Sequence, residues 1–322
     1  MPAVAEKRIA LIGAGRASSA YLEVLRERPE LVLCAVVDCV PERARSSLEW
    51  GAQAFSSVEE MLARCQIPDA ALVCTPPSTH LGVAEPLLHA GVDCLVETPL
   101  AALPEDAQRL ATTAERLGRT LVTAAPFRLD EALSRARCLI DDGRIGRLTY
   151  VESTFSGKLD AKRGWRGDAQ IAGGGVWMDQ GPHAIDVVET LAGPIERIRM
   201  AEQRREQGLS VEDEVAVETE HAGGVLSRTL LSWNRHITAP IARCVGTEAE
   251  LLLGWAQTVV RNGDFEEVVG DGFDPRGSSL AVLRSFLARR VKSAFAEDHG
   301  SQSVDWLRAA YSSVSSWRWE IA

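Results

Sequence analysis

Residues 9–18 read Ile9-Ala10-Leu11-Ile12-Gly13-Ala14-Gly15-Arg16-Ala17-Ser18, a short apolar strand that runs into a G-x-G-x-x-S turn. A segment with helical spacing of apolar residues follows the turn. In a strand–turn–helix unit of this kind, the first glycine permits the tight turn and the second lets the backbone approach a pyrophosphate at the helix N-terminus. Ser18 stands in place of a third glycine, and its small side chain still allows close helix–strand packing. We therefore expect a dinucleotide to bind at Gly13, Gly15, Arg16 and Ala17.

An acidic residue ends the next predicted strand. This residue is Asp38, which follows Leu31–Val37. An acid at this place accepts hydrogen bonds from the adenosine ribose hydroxyls and repels a 2′-phosphate. The pattern favours NAD over NADP, although Arg43 nearby would soften the preference. The alternative role for Asp38 is to cap the loop.

The rhythm of strand and helix signals predicts the fold class. Over residues 1–125 short apolar runs alternate with helical segments, which indicates βαβ units and a parallel sheet. Beyond residue 125 come longer alternating segments, beginning at Leu148–Ser156 and continuing from residue 195 to residue 253, which indicate a large, mainly antiparallel sheet with an open face. The sequence predicts a doubly wound α/β domain over 1–125 and an α+β domain over 126–322. The helix at Asp305–Ser316 is expected to pack back on the body.

Composition excludes several classes of protein. The chain has 322 residues, 46% of them apolar, and a net charge of -10 without a basic cluster. This argues against nucleic acid and anionic membrane as partners, and no apolar run is long enough to span a bilayer. The seven cysteines match no metal or redox spacing, so we expect reduced thiols and no bound metal. Residues 1–7 lack the apolar core of a signal peptide, which favours a cytoplasmic location.

Four further motifs carry polar groups. Two follow predicted strands at the sheet edge where ligands bind in open α/β folds: Cys74-Thr75-Pro76-Pro77-Ser78-Thr79-His80 and Glu97-Thr98-Pro99. The others are Gly164-Trp165-Arg166 and the run from Gly173 to Asp186, which contains Asp179 and His183. Residues four apart share one face of a helix. Histidine near its own pKa can exchange a proton with a substrate hydroxyl, and a capping or packed histidine is the alternative.

Taken together, these motifs resemble the glucose-fructose oxidoreductase / inositol dehydrogenase / MocA (Gfo/Idh/MocA) family. The resemblance runs from Arg8 to about Leu191 and returns at Ala309–Ser316. It implies a Rossmann domain carrying NAD(P), and sugar, polyol or cyclitol substrates. It also implies a C-terminal sheet whose open face commonly forms the oligomer interface. By this resemblance His183 is the acid/base and Asp179 holds a substrate hydroxyl. The residues implied to line the cofactor are Thr75, Pro76, His80, Glu97, Trp165 and Arg166.

One position departs from the family pattern. The family's E-K-P triplet, whose lysine bonds the reacting oxygen, reads Glu97-Thr98-Pro99 here. Threonine is shorter and carries no charge. Of the four lysines, Lys7 precedes the first strand and Lys292 lies in a predicted surface helix. Lys158 and Lys162 therefore remain as candidates to hold an oxygen or carboxylate of the substrate, with Arg128 as another cation and solvated loop lysines as the alternative reading.

These inferences support an NAD-dependent oxidoreductase that moves hydride between nicotinamide and a hydroxyl or ketone carbon. Two alternatives stay open: an enzyme that uses tightly bound NAD without net oxidation, and a non-catalytic dinucleotide- or sugar-binding protein or partner subunit. A homo-oligomer is also expected through the C-terminal sheet, because too few helices follow to cover both faces and an apolar face would otherwise be exposed.

Overall fold

The computed structural model describes residues 6–45, 48–288, 299–316 and 319–321. The chain divides into two compact units. The first unit takes Met1–Ala124 with Ser279–Ser301, and the second takes Ala125–Ser278 with Gln302–Ala322.

Residues 279–288 and 299–301 lie in the first unit, whereas the sequence assigned them to the second domain. The helix α9 (Pro275–Leu287) brings the chain back to the first strand, β1 (Lys7–Ile12). There the Lys7 ammonium donates to the carbonyl oxygen of Leu287 at 2.7 Å. No local pattern in the sequence predicts this contact, because Lys7 and Leu287 are far apart in the chain. Lys292 lies outside the described residues.

The first unit is built on six parallel strands. After β1 come β2 (Leu31–Val37), β3 (Gln53–Phe55), β4 (Ala70–Val73), β5 (Asp93–Val96) and β6 (Leu121–Thr123), in the spatial order β3-β2-β1-β4-β5-β6. Every residue of β4 and β5 is buried, as expected for strands covered by helices on both faces. The predicted doubly wound domain is confirmed. The order reverses between β1 and β4, which is where such folds bind ligands.

Five helices connect these strands: α1 (Ser18–Arg26), α2 (Pro41–Arg45), α3 (Val58–Arg64), α4 (His80–His89) and α5 (Pro104–Leu117). Local chemistry sets their ends. The Ser57 side chain accepts a hydrogen bond from the Glu60 amide and caps α3. Helix α5 begins at a proline and ends at Gly118, which is left-handed with φ 61°.

The second unit carries an eight-stranded mixed sheet in the order β14-β13-β12-β11-β7-β10-β9-β8. Only the β7–β10 pair is parallel among the strands described, so the predicted, mainly antiparallel sheet is confirmed. Its strands are β7 (Leu148–Ser156), β8 (Ile195–Arg204), β9 (Glu214–His221), β10 (Leu226–Ser232), β11 (Ala242–Gly246), β12 (Glu250–Leu253), β13 (Gln257–Asn262) and β14 (Phe265–Asp271).

Helices α6 (Glu131–Asp141), α7 (Ala169–Ala172), α8 (Val176–Ala192) and α10 (His299–Ser316) accompany this sheet. Buried side chains of α8, such as Trp177 and Leu191, share a core with Val151 of β7 and Val217 of β9. The last helix joins this core, since the Trp177 indole donates to the carbonyl oxygen of Leu307 at 3.1 Å. None of the helices in the described ranges combines the length and the apolar character that a membrane span requires.

The other face of the C-terminal sheet is ionic. Arg199 and Arg228 both bond Glu218, and Arg243 bonds Glu152 at 2.9 Å and also Glu250. These side chains alternate along their strands with buried ones, so they point away from the core. The sequence led us to expect an apolar face. The correction is that arginine–glutamate pairs occupy it.

Candidate functional site

The glycine turn between β1 and α1 has the geometry of a dinucleotide cradle. Gly13 has φ 90°, and a Cβ on it would lie 2.8 Å from the carbonyl oxygen of Cys74, so only glycine fits. A Cβ on Gly15 would meet nothing within 4 Å, so the space above this residue is open. The Ser18 hydroxyl donates to the Gly15 carbonyl at 2.6 Å and fixes the start of α1.

Backbone amides at this turn are available to an anion. Arg16 and Ala17 are exposed, and α1 begins directly after them. Within the described ranges, neither amide donates to a protein group. Free amides at a helix N-terminus favour phosphate oxygens, so the turn fits the pyrophosphate of a dinucleotide.

Asp38 lies next to the glycine turn and holds it in place through hydrogen bonds. Its side chain is buried, and its two oxygens accept from the amides of Ala14 at 2.9 Å and Val40 at 2.8 Å. The loop-capping role is therefore present. Each carboxylate oxygen keeps a further lone pair, which leaves acceptor capacity for a ribose hydroxyl.

His80 joins the two loops at the carboxyl ends of β4 and β5. The ring is fully buried, with Nε2 2.8 Å from the Thr75 carbonyl oxygen and Nδ1 3.1 Å from that of Pro99. Burial lowers its pKa, although the surrounding carbonyl oxygens oppose this. His80 therefore positions the loops that carry Pro76 and Thr98.

Glu97 lies in the same unit, near Tyr21 of α1. Burial first, and then the Glu97 charge and its hydrogen bond, raise the pKa of Tyr21 well above its ordinary value. Thr75, Pro76, Glu97 and Thr98 are each partly exposed at this edge of the sheet. They follow β4 and β5, as the sequence predicts.

In the second unit, Glu212 closes the N-terminus of α8. Its carboxylate accepts from the amides of Gly175 and Trp177, both at 3.1 Å, and from the Tyr311 hydroxyl at 2.7 Å. A side chain on Gly175 would overlap the Glu212 carbonyl, and one on Gly174 would overlap the Tyr311 hydroxyl. The glycine run thus lets two neighbours approach the helix start.

Helix α8 places Asp179 and His183 one turn apart, as predicted. Burial lowers the pKa of His183, while the charges of Asp186 and Asp179 act in the opposite direction. The His183 Nδ1 atom is buried without a hydrogen-bond partner in the described chain. The Phe127 ring lies beside it, with the ring centroids 5.5 Å apart.

Arg166 is the cation that the structure brings to Asp179. Its Nε donates to Asp179 Oδ1 at 2.8 Å, whereas the resemblance implies a place along the cofactor. Lys158 and Lys162, the expected cations, have exposed side chains. Arg128 is held at 2.8 Å by both Asp186 and Glu189.

Sequence reasoning missed Glu212, Tyr311 and Phe127. Glu212 lies 37 residues from Gly175, and Tyr311 lies 136 residues from it. Spacing within a motif cannot reveal contacts over such separations. The sequence feature that could have revealed Glu212 is its place in Val211-Glu212-Asp213, next to an apolar residue and with no basic residue nearby in the sequence.

Comparison with known proteins identifies relatives of this chain. A D-apiose dehydrogenase from Paraburkholderia graminis is 27% identical over 226 residues, which cover 68% of this chain and 58% of that protein. A protein named "1-carboxy-3-chloro-3,4-dihydroxycyclo hexa-1,5-diene dehydrogenase", from Comamonas testosteroni, is 33% identical over 189 residues, or 58% of this chain and 47% of that protein. The chain thus aligns with about half the length of these curated relatives.

The fold also matches solved structures. Levoglucosan dehydrogenase in complex with NADH and levoglucosan superposes with a TM-score of 0.86 at 18% identity, over 98% of this chain and 99% of that one. Residues 7–125 match the family model described as "Oxidoreductase family, NAD-binding Rossmann fold", and residues 133–252 match the Gfo/Idh/MocA C-terminal domain. The chain belongs to the Gfo/Idh/MocA family of oxidoreductases.

Proposed function

We propose that this protein is an NAD-dependent oxidoreductase that moves hydride between nicotinamide and a hydroxyl or ketone carbon of a sugar, cyclitol or related small molecule. The observation that carries the proposal is the pair Asp179 and His183, one turn apart on α8, with the His183 pKa lowered by burial. The glycine turn at Gly13 and Gly15 supports dinucleotide binding. The named activities of the relatives, on D-apiose and on a carboxylated cyclohexadiene diol, support the substrate range.

His183 acts as the base in this proposal. Its lowered pKa keeps the imidazole neutral at neutral pH, so Nε2 can take the proton of the substrate hydroxyl. Asp179 favours the imidazolium that results, because an opposite charge nearby stabilises it. A bound nicotinamide supplies the hydride chemistry. In the reverse direction, His183 returns the proton to the new hydroxyl.

The dinucleotide would be held by residues of the first unit. Gly13, Gly15, Arg16 and Ala17 would bind the phosphates, and Asp38 would bind the adenosine ribose. Thr75, Pro76 and Glu97 follow neighbouring strands and would line the nicotinamide half. His80 would hold the loops that carry these residues in place. The family resemblance implies a place along the cofactor for Trp165 and Arg166 as well.

The test is NADH formation, followed at 340 nm, with a panel of sugars, polyols, cyclitols and their acids. We expect one class of these compounds to be oxidised, and His183→Ala to abolish most of the activity while NAD binding survives. Tight NAD binding without turnover of any compound would contradict the proposal and favour a non-catalytic binding protein.

Thr98 provides a second test. If this site is active without the family lysine, Thr98→Lys should be neutral or harmful, because it adds a long cationic side chain to a working site. A large gain in NADH formation from Thr98→Lys would show that the natural site lacks a group that hydride transfer requires. Thr98→Val, which replaces the hydroxyl by a methyl group of similar size, is the matched control.

A further inference from the structure

Two acids of α8 lie within about one turn of His183, and each is paired with an arginine from outside the helix. Asp179 lies four residues before His183 and Asp186 three residues after it, so both share its face of the helix. Arg166 donates to Asp179 at 2.8 Å, and Nε of Arg128 donates to Asp186 Oδ1 at 2.8 Å. The two acids favour a charged imidazole, and the two arginines oppose them.

The pair of Arg128 and Asp186 contains the more deeply buried acid. The Asp186 side chain is 1% exposed and that of Arg128 is 22% exposed. Nη2 of Arg128 also donates to Glu189 at 2.8 Å, so the guanidinium is bound to α8 at two places. Charges interact more strongly in a buried, weakly polar setting than in water. The charge of Asp186 would therefore act strongly on His183 if Arg128 did not offset it.

Arg128 also acts on His183 through its neighbour in the chain. Phe127 precedes Arg128 in the turn 126–129, and its ring centroid lies 5.5 Å from that of the imidazole. The Phe127 ring is buried and stacks on Phe273 with the centroids 4.1 Å apart. The two bonds from Arg128 to α8 thus hold an apolar ring beside the base. Apolar surroundings disfavour the charged form of histidine.

The other titratable groups packed against α8 are uncharged or bound elsewhere. On the sheet face that α8 covers, burial lowers the pKa of His221 and raises that of Cys244 to about 12, so both stay neutral near pH 7. Arginine and glutamate side chains of the sheet lie on its opposite face. The remaining groups have partners of their own: Arg137 of α6 bonds the Leu191 carbonyl, and Tyr311 of α10 bonds Glu212. After burial, the charges that bear on the His183 pKa come from Asp186 and then Asp179.

We propose that Arg128 is a positioning residue for the base: by pairing with Asp186 and holding Phe127 in place, it keeps the His183 imidazole uncharged until the substrate hydroxyl gives up its proton. Arg128 acts through these two residues and not on the substrate, although the sequence made it a candidate cation for the substrate. The inference rests on the proposed function, in which His183 is the base.

Titration of His183 by NMR tests the inference without relying on turnover. The chain has six histidines, so a protein labelled with 13C in the histidine rings gives few signals, and His183→Ala identifies the one that belongs to His183. We expect Arg128→Gln to raise the midpoint of the His183 titration by about one pH unit, because the charge of Asp186 loses its cation. Asp186→Asn should move the midpoint downward, because it leaves the positive charge of Arg128 in place.

Two further variants separate charge from packing. The double variant Arg128→Gln with Asp186→Asn removes the charge of both partners, so its midpoint should return close to that of the natural protein. Arg128→Lys keeps the charge but loses the fork of N–H groups, so its midpoint should also stay close to the natural one. A general loss of packing would not move the midpoint in opposite directions in the two single variants.

Arg137→Gln is the matched control. Arg137 also bonds α8, at the Leu191 carbonyl at 3.0 Å, but this contact lies about two turns beyond His183. The substitution removes an arginine from the same helix without removing a charge near the imidazole. It should leave the His183 midpoint unchanged.

Two results would overturn the inference. One is a His183 midpoint that is the same in the natural protein, in Arg128→Gln and in Asp186→Asn, and the other is a midpoint that moves in the same direction in both variants. If Arg128→Gln does not fold, the double variant decides, since a midpoint no higher than that of Asp186→Asn would also overturn the inference. The acidic limb of kcat/KM should move with the NMR midpoint. Absence of turnover with every compound would count against the proposed function alone, because the NMR titration still reports on His183.

Discussion

The His183 side chain should set the pH dependence of oxidation. Burial lowers its pKa below the ordinary value of 6.5, so the neutral base persists as the pH falls to that value. We expect kcat/KM to decline only at lower pH, as the imidazole becomes protonated. His183→Ala should lower turnover by about two to four orders of magnitude.

Steady-state kinetics between acidic and neutral pH measures both effects. His89→Ala is the control, because His89 is exposed at the end of α4. An acidic limb centred above the ordinary histidine value, or full activity of His183→Ala, would contradict the assignment.

Asp38 should decide between NAD and NADP. Its carboxylate would lie as a like charge against a 2′-phosphate, so we expect tighter binding of NAD. Asp38→Asn removes the charge and keeps an oxygen that can accept from the Ala14 or Val40 amide. It should narrow the preference, as measured by calorimetry with both dinucleotides. Asp38→Ala also removes the oxygens that cap the loop, so it should in addition lower the stability of the fold. This variant therefore separates the capping role of Asp38 from its effect on the choice of dinucleotide. Tighter NADP binding to the natural protein would show that another residue sets the preference.

The residues that local sequence revealed are those whose partners are close in the chain. The glycine turn lies between one strand and the start of the next helix. Asp179 and His183 are separated by one helical turn. Arg166 was singled out from the sequence, but its bond to Asp179 was not predicted, because a short helix and a glycine run separate the two residues. The contacts of Glu212 were not predicted for the same reason, because even more residues separate Glu212 from its partners in the chain.

Helix α8 depends on a buried carboxylate at its start. The Glu212 side chain accepts from two amides and one hydroxyl, and it is almost fully buried. Glu212→Ala would leave these donors unsatisfied and should cost about 2–3 kcal/mol of unfolding free energy. Urea denaturation measures this loss. Glu212→Gln keeps an acceptor and should cost less; an equal loss from both variants would contradict the role of the hydrogen bonds.

The same carboxylate predicts a pH effect with a definite sign. Burial raises the Glu212 pKa above its ordinary value of 4.5, so the folded state binds its proton more readily than the unfolded state. Stability from this group is therefore greatest below 4.5 and is lost as the pH rises through the folded pKa. Relative to the natural protein, Glu212→Gln should become more stable as the pH rises. Chemical denaturation at several pH values would show the opposite slope if the carboxylate were better stabilised when charged.

At the scale of elements, sequence patterns predicted most strands and helices but not all. β2 and β7 have the predicted ends, because a continuous apolar run marks the first and a clear alternation marks the second. The start of α6 is set by Asp130, whose side chain caps the helix by accepting from the Leu133 amide. β3 was missed because it is only three residues long, and β14 because acidic residues interrupt its apolar pattern.

At the scale of the whole chain, the two sheets and their strand directions followed from the change in rhythm near residue 125. The place of residues 279–288 in the first unit did not, because it depends on contacts such as that of Lys7 with Leu287, which join distant parts of the chain. The ionic face of the C-terminal sheet was also not anticipated. Alternation predicts which residues leave the core, but it does not predict that they pair with one another across strands.

That ionic face changes the argument for a homo-oligomer, which we still propose through the C-terminal sheet. Arg199, Arg228 and Arg243 already have glutamate partners in the same chain, so the pairs leave little net charge for a second copy to meet. Exposed apolar side chains remain on the edge strand β14, at Phe265 (66% exposed) and Val268 (61% exposed). An edge strand with such residues is a surface that another chain can cover.

We therefore expect light scattering at micromolar concentration to give a mass that is a multiple of the 34.9 kDa chain. The assembly should survive high salt, because screening acts mainly on exposed charges and the contact proposed here is apolar. Phe265→Glu should shift the protein toward monomer, since it places a charge where an apolar side chain is covered. Glu266→Gln on the same strand is the matched control and should leave the mass unchanged. A monomer mass for the natural protein would refute the oligomer, and dissociation by salt without an effect of Phe265→Glu would move the contact to the arginine–glutamate face.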